Sequence, residues 1–236
     1  MLVSWHVSVV SPTTREVLCS GARLDTDWFI LPASCAVEKL NSKLFHTYRA
    51  VIGTTDLNDQ AGDARVRTMQ KLTIHPEFTG KASTRYDIAL VQLNPLQSIS
   101  QLYSESPCIM SKGDLERSIA TFKIGRLTAT QARSTNSVKV SLRRNKLAPK
   151  LCSSGTYMCS RLKNTEELNY NLLGAPIYIR HGIGDSDWAL SALNTAKSRL
   201  SKSGKSLVRK HLPLYAHVNW FQHVMEQEAR WLAQML

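Results

Sequence analysis

The chain of 236 residues is long enough to bury a sizeable core, and its hydrophobic content of 43% is that of an ordinary globular protein. It has no run of about 18 apolar residues, so we expect no membrane-spanning helix. Its net charge of +12 at pH 7 favours acidic or polyanionic partners. Residues 1–5 lack the basic start and apolar stretch of a secretory signal, so we expect either a signal upstream of this sequence or a protein that stays inside the cell.

Short segments rich in β-branched and aromatic residues recur along the chain, with turn residues between them. Strands are predicted at residues 6–10, 28–31, 48–52, 88–93 and 138–142. Several of these segments alternate apolar with polar residues, as a half-buried strand does. Near the end, apolar residues recur at three- and four-residue steps, which predicts a C-terminal helix. The sequence therefore predicts an all-β chain that ends in a helix.

The positive charge is concentrated in the second half of the chain. Residues 1–117 hold 12 basic and 12 acidic residues and are neutral. Residues 118–164 carry ten Lys and Arg and residues 188–225 carry six, with no acidic residue in either stretch. The candidate polyanion-binding residues are Arg143, Arg144, Lys146, Lys197, Arg199, Lys202 and Lys205.

A basic surface of this kind attracts heparin-like glycans, anionic membrane surfaces and nucleic acids in a salt-dependent way. Residues 196–205 resemble an extended polar loop and carry no nucleic-acid motif, so we expect no sequence-specific nucleic-acid binding. The alternative is a solvated basic face that only keeps the protein soluble.

The five cysteines lack the paired short spacings of a zinc site, so we expect no metal and no cofactor. Two pairs of cysteines are close enough in sequence for a disulfide to close a local loop, namely Cys19 with Cys35 and Cys152 with Cys159. Cys108 would then be left over, and an odd cysteine in an oxidised protein suggests a bond to another chain or segment. The alternative is that all five are buried reduced thiols.

Seven segments together resemble the trypsin-like serine protease domain across nearly the whole chain. They lie at residues 5–9, 19–22, 28–35, 74–78, 86–93, 174–177 and 213–221. Residues 28–35, WFILPASC, resemble the family's W-V-L-T-A-A-H-C box, and residues 87–93, DIALVQL, resemble D-I-A-L-L-x-L. The resemblance implies two six-stranded antiparallel β-barrels packed together, with a C-terminal helix.

The resemblance also implies one trypsin-like unit with a first barrel over residues 1–112, a second over 113–215 and the helix over 216–236. A signal or pro-region would lie upstream of it.

The same resemblance implies that the catalytic positions are degenerate. Catalysis in this family needs a serine nucleophile, a histidine base and an aspartate that orients the histidine. Asp87 matches the aspartate, whereas Ser34 stands at the histidine position and Leu173 at the serine position. Leu172 replaces the aspartate of the activation salt bridge, and Asn171 replaces the glycine of the oxyanion hole. The chain is therefore predicted to be no enzyme.

Cysteine positions fit the same resemblance. The pairs Cys19–Cys35 and Cys152–Cys159 resemble two family bridges, and Cys108 resembles the cysteine that ties longer members to an N-terminal pro-region. Asn169 stands near a position where the family has another cysteine, which predicts a misshapen specificity pocket. The histidines at 46, 75, 181, 211, 217 and 223 have no cysteine or carboxylate partner at a recognised spacing.

We therefore expect a secreted, non-catalytic protease homologue that binds an active protease, a protease precursor or an inhibitor in an extracellular proteolytic cascade. The first alternative is a cationic host-defence module that binds heparin or a membrane surface. The remote alternative is an active serine endopeptidase.

Overall fold

The first half of the chain forms a closed six-stranded barrel. In the computed structural model, the described residues are 5–14, 16–53, 66–82, 85–95, 106–121, 126–133, 138–144, 146–147, 157–162, 173–180, 188–195, 199–200 and 207–235. The barrel strands are β1 (His6–Val10), β2 (Val17–Arg23), β3 (Trp28–Leu31), β4 (Arg49–Ile52), β5 (Val66–Ile74) and β6 (Ala89–Leu93). Their order is β1-β2-β3-β6-β5-β4, and antiparallel pairing of β1 with β4 closes the ring.

Successive side chains of the strands point alternately into this barrel and away from it. Apolar side chains fill the interior, and others form a second apolar surface on the outside. In β3, Phe29 and Leu31 face the barrel interior, whereas Trp28 and Ile30 belong to a different buried cluster. Successive strand residues point to opposite faces, so a continuous apolar run predicts burial on both sides. The second cluster also contains Tyr178 of the other sheet, so it joins the two halves of the protein.

An eight-stranded antiparallel sheet forms the second half. Its strands are β7 (Arg126–Arg133), β8 (Val138–Arg144), β9 (Lys146–Leu147), β10 (Met158–Leu162), β11 (Pro176–Arg180), β12 (Trp188–Asn194), β13 (Arg199–Leu200) and β14 (Leu207–Pro213). The strand order is β8-β7-β11-β12-β14-β10-β9, and β13 pairs with β14. Two of the eight strands, β9 and β13, are only two residues long.

Within the described ranges, three α-helices and two 3₁₀ helices lie outside the sheets. The α-helices are α1 (Ala33–Lys39), α2 (Lys112–Thr121) and α3 (Val218–Met235), and the 3₁₀ helices are Ser42–Thr47 and Leu214–His217. Phe221 and Val224 of α3 are buried in the cluster that joins the two sheets. Of the helices in the described ranges, none is both long and apolar enough to cross a lipid bilayer.

The predicted all-β class with a C-terminal helix is confirmed. The predicted strands at 6–10, 28–31 and 88–93 match β1, β3 and β6 to within one residue at each end. Helix α1 was not predicted, because its seven residues are too short to show a helical period.

Candidate functional site

A buried serine and a buried aspartate meet at the start of α1. Ser34 lies in the first turn of this helix, and Asp87 lies just before β6. The Ser34 hydroxyl donates to Asp87 Oδ2 at 2.9 Å, and the Ser34 backbone N–H donates to Asp87 Oδ1 at 2.7 Å. Ser34 is 2% exposed and Asp87 is fully buried. Both carboxylate oxygens of Asp87 are thus engaged by one residue.

This double contact also caps the N-terminus of α1. The residue before the helix is Pro32, which makes no capping hydrogen bond through its side chain. The first N–H groups of a helix have no partner within the helix and need one from elsewhere. Asp87 supplies that partner to Ser34 from a segment 53 residues away in the sequence. The carboxylate therefore holds α1 against the barrel.

The turn that contains Leu173 packs against the same region. The backbone N–H of Ser20 donates to the Leu173 carbonyl at 2.9 Å, and the Leu173 side chain packs on the core of the first barrel. Gly174 follows with a φ of 91°, and a Cβ there would lie 2.7 Å from Cδ of Pro32. Pro32 is two residues before Ser34. The fold thus gathers Leu173, Ser34 and Asp87 in one region of the molecule.

Tyr157 interacts electrostatically with Asp87, although sequence reasoning did not select it. Burial raises the pKa of Tyr157, and the negative charge of Asp87 raises it further. The Lys210 ammonium lies 5.1 Å from the centre of the Tyr157 ring. Tyr157 directly precedes β10 and Lys210 lies in β14, so both come from the second sheet. No spacing rule links Tyr157 to Asp87, so a local sequence pattern could not have identified this interaction.

A serine–histidine pair lies inside the second sheet. Ser160 Oγ and His211 Nε2 are 2.7 Å apart, and both residues are almost fully buried. Burial lowers the pKa of His211 to about 3, and the Arg209 charge adds to the effect. His211 Nδ1 has no hydrogen-bond partner among the described residues. The partner of His211 is a serine, not the cysteine or carboxylate that the sequence was searched for, and the two residues meet because β10 and β14 pair across 51 residues of sequence.

A second pair of this type lies in β1. His6 Nε2 is 3.1 Å from Ser8 Oγ, and burial lowers the pKa of His6 to about 4. Residues two apart in a strand face the same side, so sequence alone could have found this contact. Both side chains are buried, and His6 is held neutral in the core.

His75 and His217 serve packing. His75 stacks on Tyr86 with ring centres 4.7 Å apart, and it also contacts His217 and Trp220. Burial lowers the pKa of His217 to about 4, with a further contribution from His75. These rings join the segment before β6 to the start of α3. His46 Nδ1 lies 3.2 Å from the Met69 carbonyl.

The predicted disulfide Cys19–Cys35 is present, so the alternative of five reduced thiols is wrong. It links β2 to α1 next to Ser34. Cys159 is also disulfide-bonded, but Cys152 lies outside the described residues and the pairing of these two stays a prediction. Cys108 is a free, exposed thiol.

Seven positions named in the sequence analysis lie outside the described residues. They are Asn169, Asn171, Leu172, His181, Lys197, Lys202 and Lys205. Arg143 and Arg144 end β8, Lys146 begins β9 and Arg199 begins β13. Within the described part of the chain, no three His, Cys, Asp or Glu side chains come together as a metal site would require.

Pairing of the strands sets three basic residues in one row across the second sheet. Lys146 of β9 stands opposite Arg161 of β10, and Arg161 stands opposite Val208 of β14. Val208 is in turn opposite Arg199 of β13. Neighbouring strands are about 4.8 Å apart, so the row spans roughly 14 Å. The fold thus brings together basic residues that are far apart in the sequence.

A closed six-stranded antiparallel barrel packed on a second curled sheet, with an aspartate buried at their junction, defines the class of two-barrel serine-protease-like proteins. The sequence model of the Trypsin family matches residues 2–166 of this chain. The chain therefore belongs to the trypsin family. The match ends before Leu173, so the correspondence of Leu173 to the family's serine rests on the residues that follow it.

Proposed function

We propose that this chain is a catalytically inactive, secreted member of the trypsin family that acts by binding a protein. The partner is an active protease, a protease precursor or an inhibitor in an extracellular proteolytic cascade. The observation that carries the proposal is the contact between Ser34 and Asp87. In an active member the aspartate accepts a hydrogen bond from the catalytic histidine, but here its oxygens accept from a serine hydroxyl and a backbone N–H.

A serine at this position cannot replace histidine. A hydroxyl group takes up a proton only far below neutral pH, so it cannot act as a general base. Leucine at position 173 offers no nucleophilic oxygen or sulfur. Both groups that would exchange the proton in the family mechanism are therefore missing.

The pair formed by Ser160 and His211 does not restore the chemistry. Both residues are buried, so a peptide bond in solution has no access to the Ser160 oxygen. A pKa of about 3 leaves His211 a weak base. A catalytic histidine also needs a partner that fixes its orientation through the second ring nitrogen. Nδ1 of His211 has none among the described residues.

A fluorophosphonate probe tests the loss of activity. It reacts with serines that are activated as nucleophiles, so we expect no labelling of the folded protein while active trypsin labels under the same conditions. The variant Ser160→Ala distinguishes labelling of the buried pair from labelling elsewhere. Stoichiometric labelling of any serine in the native protein would overturn the proposal.

An exposed apolar surface near Ser34 supports the binding role. Val37 in α1 is 58% exposed, and Leu44 in the following 3₁₀ helix is 50% exposed. Large apolar side chains at the surface are common at protein interfaces when they are contiguous. We therefore propose that this end of the first barrel contributes to the partner interface.

The binding role is tested by adding the protein to activation assays of purified serine protease precursors. We expect the rate of at least one precursor to change, and we expect Val37→Glu with Leu44→Glu to reduce the effect. The control Lys43→Glu changes charge in the same 3₁₀ helix but keeps both apolar side chains. Equal effects of the control and the double variant would contradict the proposed interface.

The row of Lys146, Arg161 and Arg199 favours a second candidate function, the binding of a heparin-like polyanion. Three cationic positions in one row suit a linear chain of negative charges, and such binding weakens with salt. Neutralising the three to Gln should lower the salt concentration that elutes the protein from heparin. The control neutralises Lys39, Lys43 and Arg49, exposed residues of the first half. Elution of the unmutated protein at physiological salt would exclude this function.

A further inference from the structure

A β-bulge in β5 turns two adjacent polar residues out of the first barrel. Met69 and Leu72 both pack on the barrel core, although they are three residues apart instead of two. The register against β6 shifts between Met69 and Lys71, so one extra residue is accommodated there. A bulge of this kind redirects side chains. Gln70 and Lys71 consequently lie on the outer surface, facing α3.

Gln92 of β6 reaches the same surface. Its neighbours Val91 and Leu93 fill the barrel interior, so alternation directs Gln92 outward, opposite Lys71. Gln92 is only 8% exposed, and it lines a groove between the barrel and α3. A carboxamide carries two donors and two acceptor sites. Gln92 therefore brings hydrogen-bonding groups to this groove.

Helix α3 forms the other wall of this groove. The buried residues Phe221 and Val224 lie in the first half of this helix. One or two turns further along lie Gln227, Glu228 and Trp231. Glu228 forms an ion pair with Lys71, which ties the helix to β5. Trp231 is 54% exposed, which is unusual for so large an aromatic side chain.

These residues enclose a groove of about 470 Å³, and its lining is Gln70, Lys71, Gln92, Gln227, Glu228 and Trp231. Small-ligand sites in proteins have volumes of about 300–1,000 Å³ and combine an apolar surface with a few placed polar groups. The single cation and the single anion of the lining neutralise each other. The groove is thus suited to a neutral ligand that has both an apolar face and many hydroxyl groups.

We propose that this groove binds a pyranose ring of a neutral glycan. The indole of Trp231 offers an apolar plane for the C–H face of the sugar, while its N–H remains available as a donor. The carboxamides of Gln70, Gln92 and Gln227 can each donate to one sugar hydroxyl and accept from a neighbouring one. The site differs from the basic row of the second sheet, and its ligand carries no charge.

The test uses the full chain and three neutral sugars, namely N-acetylglucosamine, methyl mannoside and galactose. Binding is followed by the NMR signal of the Trp231 indole N–H, which Trp231→Phe identifies. At least one sugar should shift this signal, with a dissociation constant in the range of about 1 mM that is usual for a small ligand with few contacts. A sulfated disaccharide should not shift it more strongly. The sugar could belong to a free glycan or to a glycan attached to a protein. An array that carries both kinds of glycan distinguishes these two sources.

Two variants locate the site. Trp231→Ala and Gln92→Met should each weaken sugar binding about tenfold, which corresponds to about 1.4 kcal/mol. Affinity is compared by NMR signals of the sugar itself, because Trp231→Ala removes the indole signal. Gln92→Met keeps the length of the side chain, and Trp231 is largely exposed, so both variants should fold. The controls are Gln222→Met and Arg230→Ala, which change exposed residues of α3 that do not line the groove; they should leave affinity unchanged.

The proposal is wrong if no neutral sugar shifts the Trp231 signal. It is also wrong if sugar binding survives both groove variants, or if a neutral tripeptide binds the groove more tightly than any sugar. These outcomes do not depend on whether the chain is catalytically inactive.

Discussion

The replacement Ser34→Ala tests the contact on which the proposed inactivity rests. It removes the hydrogen bond from the Ser34 hydroxyl to Asp87 Oδ2 but keeps the backbone N–H bond to Oδ1. A hydrogen bond to a charged group contributes about 1.5–3 kcal/mol, and a buried acceptor that loses its partner bears the desolvation cost. We expect the free energy of unfolding to fall by about that amount, a change of roughly 10- to 150-fold in the unfolding equilibrium constant.

The assay is urea denaturation followed by tryptophan fluorescence and circular dichroism, with the m-value compared between variants. The matched control is Ser191→Ala. Ser191 is just as buried, but its hydroxyl donates only to a backbone carbonyl at 3.3 Å and contacts a methionine sulfur at 3.7 Å. The loss there should be about 1 kcal/mol or less. Equal losses in the two variants would refute a special role for the charged contact.

A double-mutant cycle with Asp87→Asn isolates the pair. Residues in direct contact have coupling energies of about 0.5–3 kcal/mol, whereas distant residues are additive within about 0.5 kcal/mol. Additivity of Ser34→Ala and Asp87→Asn would show that the hydroxyl and the carboxylate do not interact in solution.

Three further predictions follow from the described geometry. Gly174→Ala should destabilise the protein by more than about 2 kcal/mol, because φ is 91° and the new Cβ would lie 1.7 Å from the Ser20 carbonyl oxygen; unchanged thermal unfolding would contradict this. Stability should fall as the pH drops from 6.5 towards 4, since His6 and His211 have pKa values of about 4 and 3 when folded and only the unfolded chain gains protons in that range. Each histidine adds a slope of about 1.4 kcal/mol per pH unit, and denaturant titrations at several pH values measure it. The native protein should react with a thiol reagent, and Cys108→Ser should abolish that reaction because Cys108 is free and exposed.

The contact between Ser34 and Asp87 also gives the aspartate a structural role that does not depend on catalysis. Asp87 holds the first turn of α1 by accepting from the Ser34 backbone N–H. Replacing Asp87 would leave that N–H and the Ser34 hydroxyl buried without this partner, at a cost of about 1–3 kcal/mol for each group. A structural role is therefore sufficient reason for a buried carboxylate at this position.

Local patterns in the sequence were enough to predict the class of the fold. The apolar runs that became β1, β3 and β6 are short and rich in β-branched or aromatic residues, so the chain segment itself favours extended backbone. The repeat of apolar residues from position 218 onward likewise defines α3. The short separation of Cys19 and Cys35 made their disulfide foreseeable. The motifs around Ser34 and Asp87 singled out two residues that the structure brings into contact.

Contacts between distant segments were decided only by the tertiary structure. His211 meets Ser160 because β10 and β14 are paired, and Tyr157 approaches Asp87 because the two sheets pack together. The groove beside Trp231 requires a bulge in β5 and the position of Trp231 on α3. No local pattern relates these two features to each other. Periodicity and spacing report how a segment folds and which side of it is apolar. Register and packing angles depend on the partner segment, so the side chains that face each other across a site emerge only when the whole chain has folded.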